Sequence, residues 1–340
     1  MHKATFRVGS NIAFIKYWGV QKLPNTPENA DLHFPLSNSI SMTLADAYTV
    51  TTVEWDSDGA LQEDVITLDG IRQPSASESK GTARLVRHLD RIRALAGQSW
   101  RANVTSQNNF PMAAGIASSA SGFAALTVAG CHAAGLALNN KELSALARMG
   151  SGSASRSLFG GFVEWEKGHD HGSSVAHMLY PADHWALCDV VAVASAAPKR
   201  ISSAEGHKLA MDSPLNHARL AYVEDALAET RQAIANRDLA QLGPVIEQDA
   251  LAMHAVMMTS TPSLFYWQPA TIEIIQAVYD WREEGLPVYF TIDAGPNIHL
   301  ICEQKDVAAV EERTHALTGV QQTIVSRPGL GPQKVEESKG

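Results

Sequence analysis

At 340 residues the chain is long enough for one large or two closely fused domains, and 45% hydrophobic with 19% charged residues is a globular rather than a disordered composition. A formal net charge of −9 argues against a nucleic-acid or anionic-membrane partner, since both need a cationic footprint. Cys131, Cys188 and Cys302 are too few and too scattered for a disulfide framework or a zinc site, and an odd count fits a reducing cytoplasm.

The opening MHKATFRVGSNIAF lacks a signal-peptide core, and no apolar run reaches the roughly 18 residues of a membrane helix, so a cytoplasmic protein is expected. TFRVGSNIAFIKYWG, SISMTLADAYTVTTVEW and DVITLDG have the β-branched, alternating texture of strands in an early sheet. KGTARLVRHLDRIRALA, residues 80–96, repeats at helical period with Leu85, Leu89, Ile92 and Leu95 on one face. A small-residue helix is expected at 115–135 and another from Asn140, with Glu142 in its first turn, to Arg148, where GSGSASR interrupts it. GGFVEWEKG and WALCDVVAVAS read as strands. Helical patterns follow at 214–235, 238–256 and 269–283, then strand, turn and strand in LPVYFTIDAGPNIHLIC, a helix near 305–317 and the strand QQTIVSR. This mixed order predicts an α+β fold with a boundary near 189 and a frayed tail after Arg327.

The stretch NFPMAAGIASSASGFAAL, residues 109–126, carries the strongest chemical signal. Helix N-termini present unpaired N–H groups and the positive end of the peptide dipole, which suits a phosphate. Pro111 fixes the entry, Gly115 permits a backbone that a Cβ would bar, and Ser118 and Ser119 add hydroxyls. A tightly packed small-residue helix is the alternative. The sequence lacks GxxxxGK[ST], a strand-borne GxGxxG, HExxH and CxxC, which leaves Walker, Rossmann and common metal chemistries unsupported. His169 and His171 in GHDHG fit a solvated loop better than a metal site.

NFPMAAGIASSASG resembles the central motif of the GHMP kinase superfamily, and NIAFIKYWG, PLSNSISMTL, GSGSASRSLFGGFVEW and TIDAGPN narrow the resemblance to its mevalonate diphosphate decarboxylase branch. These blocks span residues 11–297 in family order. The resemblance implies two α+β lobes: an N-terminal one (1–188) like the ribosomal S5 domain 2 fold, and a ferredoxin-like C-terminal one (189–330), followed by a tail (331–340). It further implies a cleft site, ATP with Mg2+, and a homodimer. The reaction it implies phosphorylates the C3 hydroxyl of a 5-phosphorylated mevalonate, then loses phosphate and CO2 to leave an alkene in isoprenoid biosynthesis.

Under that resemblance Asp293 accepts the C3 hydroxyl proton and opposes positive charge at C3, although an Asx turn is an ordinary role for Asp before AGPN. Arg156 offers a two-pronged donor to the C1 carboxylate, with Ser151 and Ser153 adding hydrogen bonds where helix capping is the alternative. Lys16, in an apolar stretch, needs a partner because an unpaired buried ammonium is expensive; Asp293 is the candidate, and a snorkelling lysine is the alternative. Asn11, Ala13 and Tyr17 match substrate-lining positions, Ser202 and Ser203 match a serine pair reaching the substrate phosphate, and Trp18 is expected to pack. Pro111, Ala114, Gly115, Ala117, Ser118 and Ser119 match the nucleotide cradle. No carboxylate is singled out as a metal ligand.

The family usually reads KYWGK where this chain reads KYWGV, with Val20, and an arginine of some bacterial relatives corresponds to Ala204. Each lost cation removes a charge-assisted contact worth roughly 1.5–3 kcal/mol, which favours 5-phosphomevalonate over the diphosphate unless Lys22 curls back to restore the charge. The rival readings are a diphosphate decarboxylase, a mevalonate 3-kinase that phosphorylates without decarboxylation, another small-molecule kinase of the superfamily, and a non-catalytic ligand sensor of the same fold.

Overall fold

A computed structural model describes residues 2–24, 26, 31–110, 118–195 and 201–336. β1 (Lys3–Ile15) and the long β2 (Ser39–Asp56) pair antiparallel at the centre of the first sheet. β3 (Val65–Leu68), β4 (Ile71–Arg72) and β5 (Arg101–Asn108) extend it, with β5 against the second half of β2 and parallel to β3. The β1–β2 register slips between Gly9 and Asn11 and again between Ala13 and Ile15. Such bulges redirect side chains, and here they flank Asn11 and Ala13, with Lys16 and Tyr17 just beyond the second. A Cβ on Gly9 would collide with the Leu44 carbonyl oxygen, so the first bulge requires glycine.

α1 (Lys80–Ala96) and α2 (Ser118–Ala133) cover one face of this sheet. The helix expected at 80–96 has those bounds, capped by the Ser79 hydroxyl and closed by Gly97 at φ 63°. Its buried stripe runs through Thr82, His88, Leu89, Ile92 and Arg93, so it is rotated away from Leu95, which is exposed. Arg93 is buried because it is paired with Asp64 and Asp90. α2 is buried nearly all round, as its run of Ala, Gly and Ser allows; Gly130 admits Ile92, and its carbonyl accepts from Trp55 Nε1–H at 3.0 Å.

α3 (Asn140–Gly150) starts on a capping box whose cap is Asn139, with the Glu142 carboxylate accepting from the Asn139 amide at 2.8 Å. The expected interruption at 150–156 is a 3₁₀ helix, Gly152–Leu158. β6 (Phe162–Trp165) then pairs with the start of β2, and β7 (Ala176–Tyr180) with β6.

β8 (Leu187–Val193), which contains residue 189, opens a second sheet. α4 (Ser203–Leu209), α5 (Asn216–Asn236), α6 (Leu239–Met258) and α7 (Pro269–Glu283) follow, then β9 (Val288–Thr291), β10 (Ile298–Glu303), α8 (Val307–His315) and β11 (Gln322–Ser326). The antiparallel order β11-β8-β10-β9 is that of a ferredoxin-like split βαβ. One hydrophobic core joins both halves: Ile12, Phe14, Ile40 and Met42 of the first sheet pack with Val191, Val223, Leu227, Leu242 and Ile246 of the second. The result is an α+β fold of two lobes.

The segment after Arg327, expected to fray, is tied down as far as it is described. Gly329 donates to Thr43 O at 2.7 Å and accepts from Gly161 N at 2.8 Å, and β12 (Gln333–Lys334) pairs with β1. An otherwise open edge of β1 supplies the partners that a Gly/Pro-rich sequence cannot provide for itself. Among the described residues no helix is long and apolar enough to cross a membrane.

Two buried histidines set an acid limit on this fold. His88 donates from Nε2 to Thr127 Oγ1 at 2.8 Å, the Thr127 hydroxyl proton being given to Phe123 O, and His254 of α6 donates from Nε2 to the Asp293 carbonyl at 3.1 Å, while both Nδ1 atoms are buried without a partner among the described residues. Burial pushes each imidazole down to about 3. The unfolded chain takes up these protons from about pH 6.5 downward and the folded one does not, so stability present above 6.5 is lost as pH falls toward 3. The expected loss is about 1.4 kcal/mol per pH unit for each histidine. Thermal melts at pH 7 and pH 5 check this; an unchanged melting temperature would contradict it.

Candidate active site

A cavity of about 550 Å³ lies between the lobes, lined from the first lobe by Ala13, Lys16, Tyr17, Ser118, Ser119, Ser151, Ser153 and Arg156, and from the second by Ser202, Ser203 and Asp293. Eleven of the sequence-predicted residues thus line one space, from segments far apart in the chain. Pro111, Ala114, Gly115 and Ala117 lie outside the described residues. Ser118 and Ser119, at the start of α2, also line an adjoining cavity of about 190 Å³ walled by Ile66, Leu68, Leu85, Val104 and Phe123. The start of α2 therefore stands between a polar chamber and an apolar one.

Lys16 follows the last residue of β1 and is almost fully buried, and its Nζ donates to Asp293 Oδ1 at 2.7 Å. Its backbone is anchored as well: Lys16 N donates to Asp249 Oδ2 at 2.6 Å and Arg219 Nη2 donates to Lys16 O at 2.9 Å. Asp249 is in turn held by Arg219 and by the Tyr222 hydroxyl at 2.7 Å. Burial pulls the Lys16 ammonium below its ordinary value against the attraction of Asp293 and Asp249. For Asp293 burial acts upward, but Lys16, His299 and Arg156 together outweigh it and hold the carboxyl below its ordinary value. The carboxylate is therefore ionised at neutral pH.

Asp293 stands on the loop between β9 and β10. Its carbonyl, not its carboxylate, accepts the Gly295 amide at 2.7 Å. That loop is braced by Thr271 Oγ1 donating to Pro296 O at 2.7 Å, and by Asn297 Oδ1 accepting the amides of Ala194 and Ser195. The Asp293 carboxylate is thus left for Lys16 and the cavity.

Arg156 projects from the 3₁₀ helix and is buried, with Nε and Nη2 donating to Asn11 Oδ1 at 3.1 and 2.9 Å and Nη1 to Ser39 Oγ at 2.8 Å. Asn11 does not line the cavity; its Nδ2 donates to Ser157 Oγ and Ser153 O, so it fixes the guanidinium from behind. Burial brings Arg156 down to about 10, which leaves it charged at neutral pH. Ser151 Oγ donates to Ser119 Oγ at 3.3 Å and lies 3.4 Å from Ser153 Oγ, which links the predicted substrate serines to the start of α2. Ser202 is engaged in capping α4, its hydroxyl donating to Glu205 Oε2 at 2.8 Å, whereas Ser203 carries no such bond among the described residues.

Periodicity and motifs did not reveal every residue lining the cavity. Arg84 reaches it from α1, with Nε donating to Gly150 O at 2.9 Å and the guanidinium 4.7 Å from the Phe123 ring centre. The nearby Asp31 is taken by Arg87 at 3.2 Å and Arg91 at 2.7 Å. His33, His207, Met253 and Trp18 also border the cavity, so Trp18 both packs and lines. His207 had one available signal: it follows Ser203 by four residues, one helical turn. Lys22 does not curl into the chamber; it is three-quarters exposed and 4.0 Å from Asp212. Val20 instead bridges to Pro35. His171 is joined to Arg148 through Nδ1 at 2.9 Å.

Comparisons with known proteins agree on one family. The model of the diphosphomevalonate decarboxylase-like N-terminal domain matches residues 8–176, and that of the mevalonate 5-diphosphate decarboxylase C-terminal domain matches 189–334. A diphosphomevalonate decarboxylase of Ganoderma lucidum is 32% identical over 92% of this chain and 81% of its own length. A phosphomevalonate decarboxylase of Haloferax volcanii is 32% identical over 91% of both chains. The mevalonate diphosphate decarboxylase of Staphylococcus aureus superposes with a TM-score of 0.90 at 36% identity, covering 98% of both chains. The structure titled "MDDEF in complex with MVAPP, AMPPCP and Magnesium" gives 0.89 at 37% identity, covering 98% of this chain and 99% of that one. With both domain models matched in order and full-length relatives above 30% identity, the chain belongs to the mevalonate diphosphate decarboxylase family.

Proposed function

We propose that this protein catalyses the ATP-dependent decarboxylation of 5-diphosphomevalonate to isopentenyl diphosphate. The coarser statement, ATP-dependent decarboxylation of a phosphorylated mevalonate, rests on the family. The observation that carries the reading is an ionised Asp293, paired with Lys16, facing the same chamber as a pre-oriented Arg156 and the start of α2.

The γ-phosphoryl group of ATP passes to the C3 oxygen, ADP leaves, and the hydroxyl proton goes to the Asp293 carboxylate. The C3–O bond then breaks with its electron pair on phosphate, and the C1–C2 pair becomes the C2–C3 double bond as CO2 departs. A carboxyl held ionised by Lys16 is a weak resting base but a constant negative charge, which suits it best to opposing the positive charge that develops at C3. Arg156, with three of its donors occupied by Asn11 and Ser39, orients the C1 carboxylate with Ser151 and Ser153 beside it. The apolar chamber beside Ser118 suits an adenine ring, and the start of α2 suits the phosphates. Magnesium, when bound, neutralises charge across the phosphate oxygens. The hydroxyls of Ser118 and Ser119 fit such a hard ion, and among the described residues no group of three or more His, Cys, Asp or Glu forms a cage for it.

The diphosphate replaces the monophosphate favoured on the missing charge at Val20. Most of the curated relatives are named diphosphomevalonate decarboxylase, and Arg84 adds a third cation to Lys16 and Arg156 around the chamber. The outward Lys22 and the phosphomevalonate decarboxylase of Haloferax volcanii favour the monophosphate as a second reading. Steady-state assays of ADP and CO2 release with both substrates decide between them. The expected result is a kcat/KM at least about tenfold higher for the diphosphate, equivalent to one charge-assisted contact. A preference for the monophosphate overturns that choice, and ADP formation without CO2 points to a 3-kinase.

A further inference from the structure

We propose that His207 binds the 5-phosphate end of the substrate, donating its Nε2–H to a phosphate oxygen. The proposal rests on the family reaction described above and adds a residue to its binding site.

The tautomer is fixed by the backbone. Gly19 N–H donates to His207 Nδ1 at 3.0 Å, and an amide donor needs a ring lone pair, so the ring's proton sits on Nε2. The ring plane is fixed too: it stacks on Tyr17 at 4.0 Å with a tilt of 25° and leans on Trp18 at 4.6 Å. Gly206 presses α4 onto the same tryptophan, since a Cβ there would lie 2.6 Å from Trp18 Cη2. His207 borders the chamber beside Ser202 and Ser203, and its Nε2 has no hydrogen-bond partner among the described residues. That donor opens on the chamber, where the acceptor oxygen of a ligand can take it.

The surroundings specify which acceptor. Arg156, Ser151 and Ser153 gather at the 3₁₀ helix, where the proposed mechanism puts the carboxylate, whereas α4 and its cap contribute the Ser203 hydroxyl and an imidazole, the Ser202 hydroxyl being committed to Glu205. Burial and the neighbouring His33, Arg156 and Arg84 push the imidazole down to about 3, and protonation at Nδ1 would also forfeit the Gly19 bond. Burial likewise keeps the Tyr17 phenol protonated. The α4 end is therefore a set of neutral donors, suited to an anion with several acceptor oxygens and no hydrogen to give, as a phosphate ester is. Fixed neutral donors aim at oxygen positions instead of attracting charge from a distance, so His207 selects for geometry at that end.

The test compares His207→Asn, which can still accept from Gly19 but carries nothing at the Nε2 position, with His207→Gln, which can restore an N–H there. His207→Asn is expected to raise KM for 5-diphosphomevalonate about tenfold, with kcat within about twofold and KM for ATP unchanged. His207→Gln is expected to recover most of the loss. Inhibition by unphosphorylated mevalonate should be equal in all three proteins. An unchanged KM in His207→Asn, or an equal weakening of mevalonate, overturns the proposal, the latter by revealing a merely structural role. If the wild-type enzyme decarboxylates neither phosphorylated mevalonate, the family reaction fails; calorimetry with inorganic pyrophosphate then reads His207 separately, and equal affinity in wild type and His207→Asn overturns it. Should both variants misfold, nuclear magnetic resonance of the wild-type protein replaces them: the His207 Nε2 proton should become slowly exchanging on pyrophosphate binding, and no change counts against the proposal.

Discussion

Asp293→Asn is expected to lower kcat by roughly 10⁴-fold while leaving the affinity for ATP near its original value. The substitution removes the only carboxylate that lines the chamber among the described residues, which in the proposed mechanism is both the proton acceptor and the negative charge facing C3. It also leaves the Lys16 ammonium, 1% exposed, facing a neutral amide. Because the amide oxygen still accepts a hydrogen bond, the stability cost should be about 1–3 kcal/mol rather than that of an empty partner site. Single-turnover assays of CO2 release, with a thermal melt to confirm folding, check both parts. A loss below about tenfold would assign Asp293 to structure alone. The sign of its pH dependence follows from the direction of its shift. Held below its ordinary value, the carboxyl is protonated only when pH falls through that lowered value, so it contributes no acid limb to kcat over roughly pH 5–8, where histidines titrate.

Arg156→Lys should lower kcat/KM by about 10²–10³-fold, and the loss should fall unevenly on the two chemical stages. A lysine keeps the charge but cannot serve Asn11 Oδ1 and Ser39 Oγ while also presenting a planar donor edge to a carboxylate. In the proposed mechanism phosphoryl transfer depends mainly on the start of α2 and Asp293, whereas loss of CO2 depends on how the carboxylate is turned. ADP formation should therefore outrun CO2 release, with a 3-phosphorylated compound building up transiently. Product mass spectrometry during a time course reads this, and an ADP to CO2 ratio that stays at one would contradict the assignment.

Lys16 and Asp293 were legible as a pair from the sequence because an ammonium in an apolar stretch demands a counter-charge, and TIDAGPN supplied the rigid loop to hold one. The bounds of α1 and α7 were legible from their helical patterns, and in the structure Ser79 and Gly97 close the first while Pro269 opens the second. Period alone misplaced the buried stripe of α1 at Leu95. It equally gave no sign that Arg84, on the border of that stripe, looks into the chamber, because a helical wheel carries no information about where a neighbouring lobe leaves space. Charge counting along the chain registered the loss at Val20 but not this distant cation. The ordered segment after Arg327 escaped for a related reason: its partners are Thr43, Gly161 and β1, and only long-range pairing gives a sequence poor in strand formers its shape.

The return of β12 to β1, together with the core shared by Ile12, Met42, Val223 and Ile246, bears on how the molecule comes into being. During synthesis the opening strand must wait, with one edge unpaired, until Gln333 and Lys334 have left the ribosome. Neither half is thus a foldon in its own right, and nascent chains halted near residue 185 should be chaperone clients and protease-sensitive instead of yielding a finished first half.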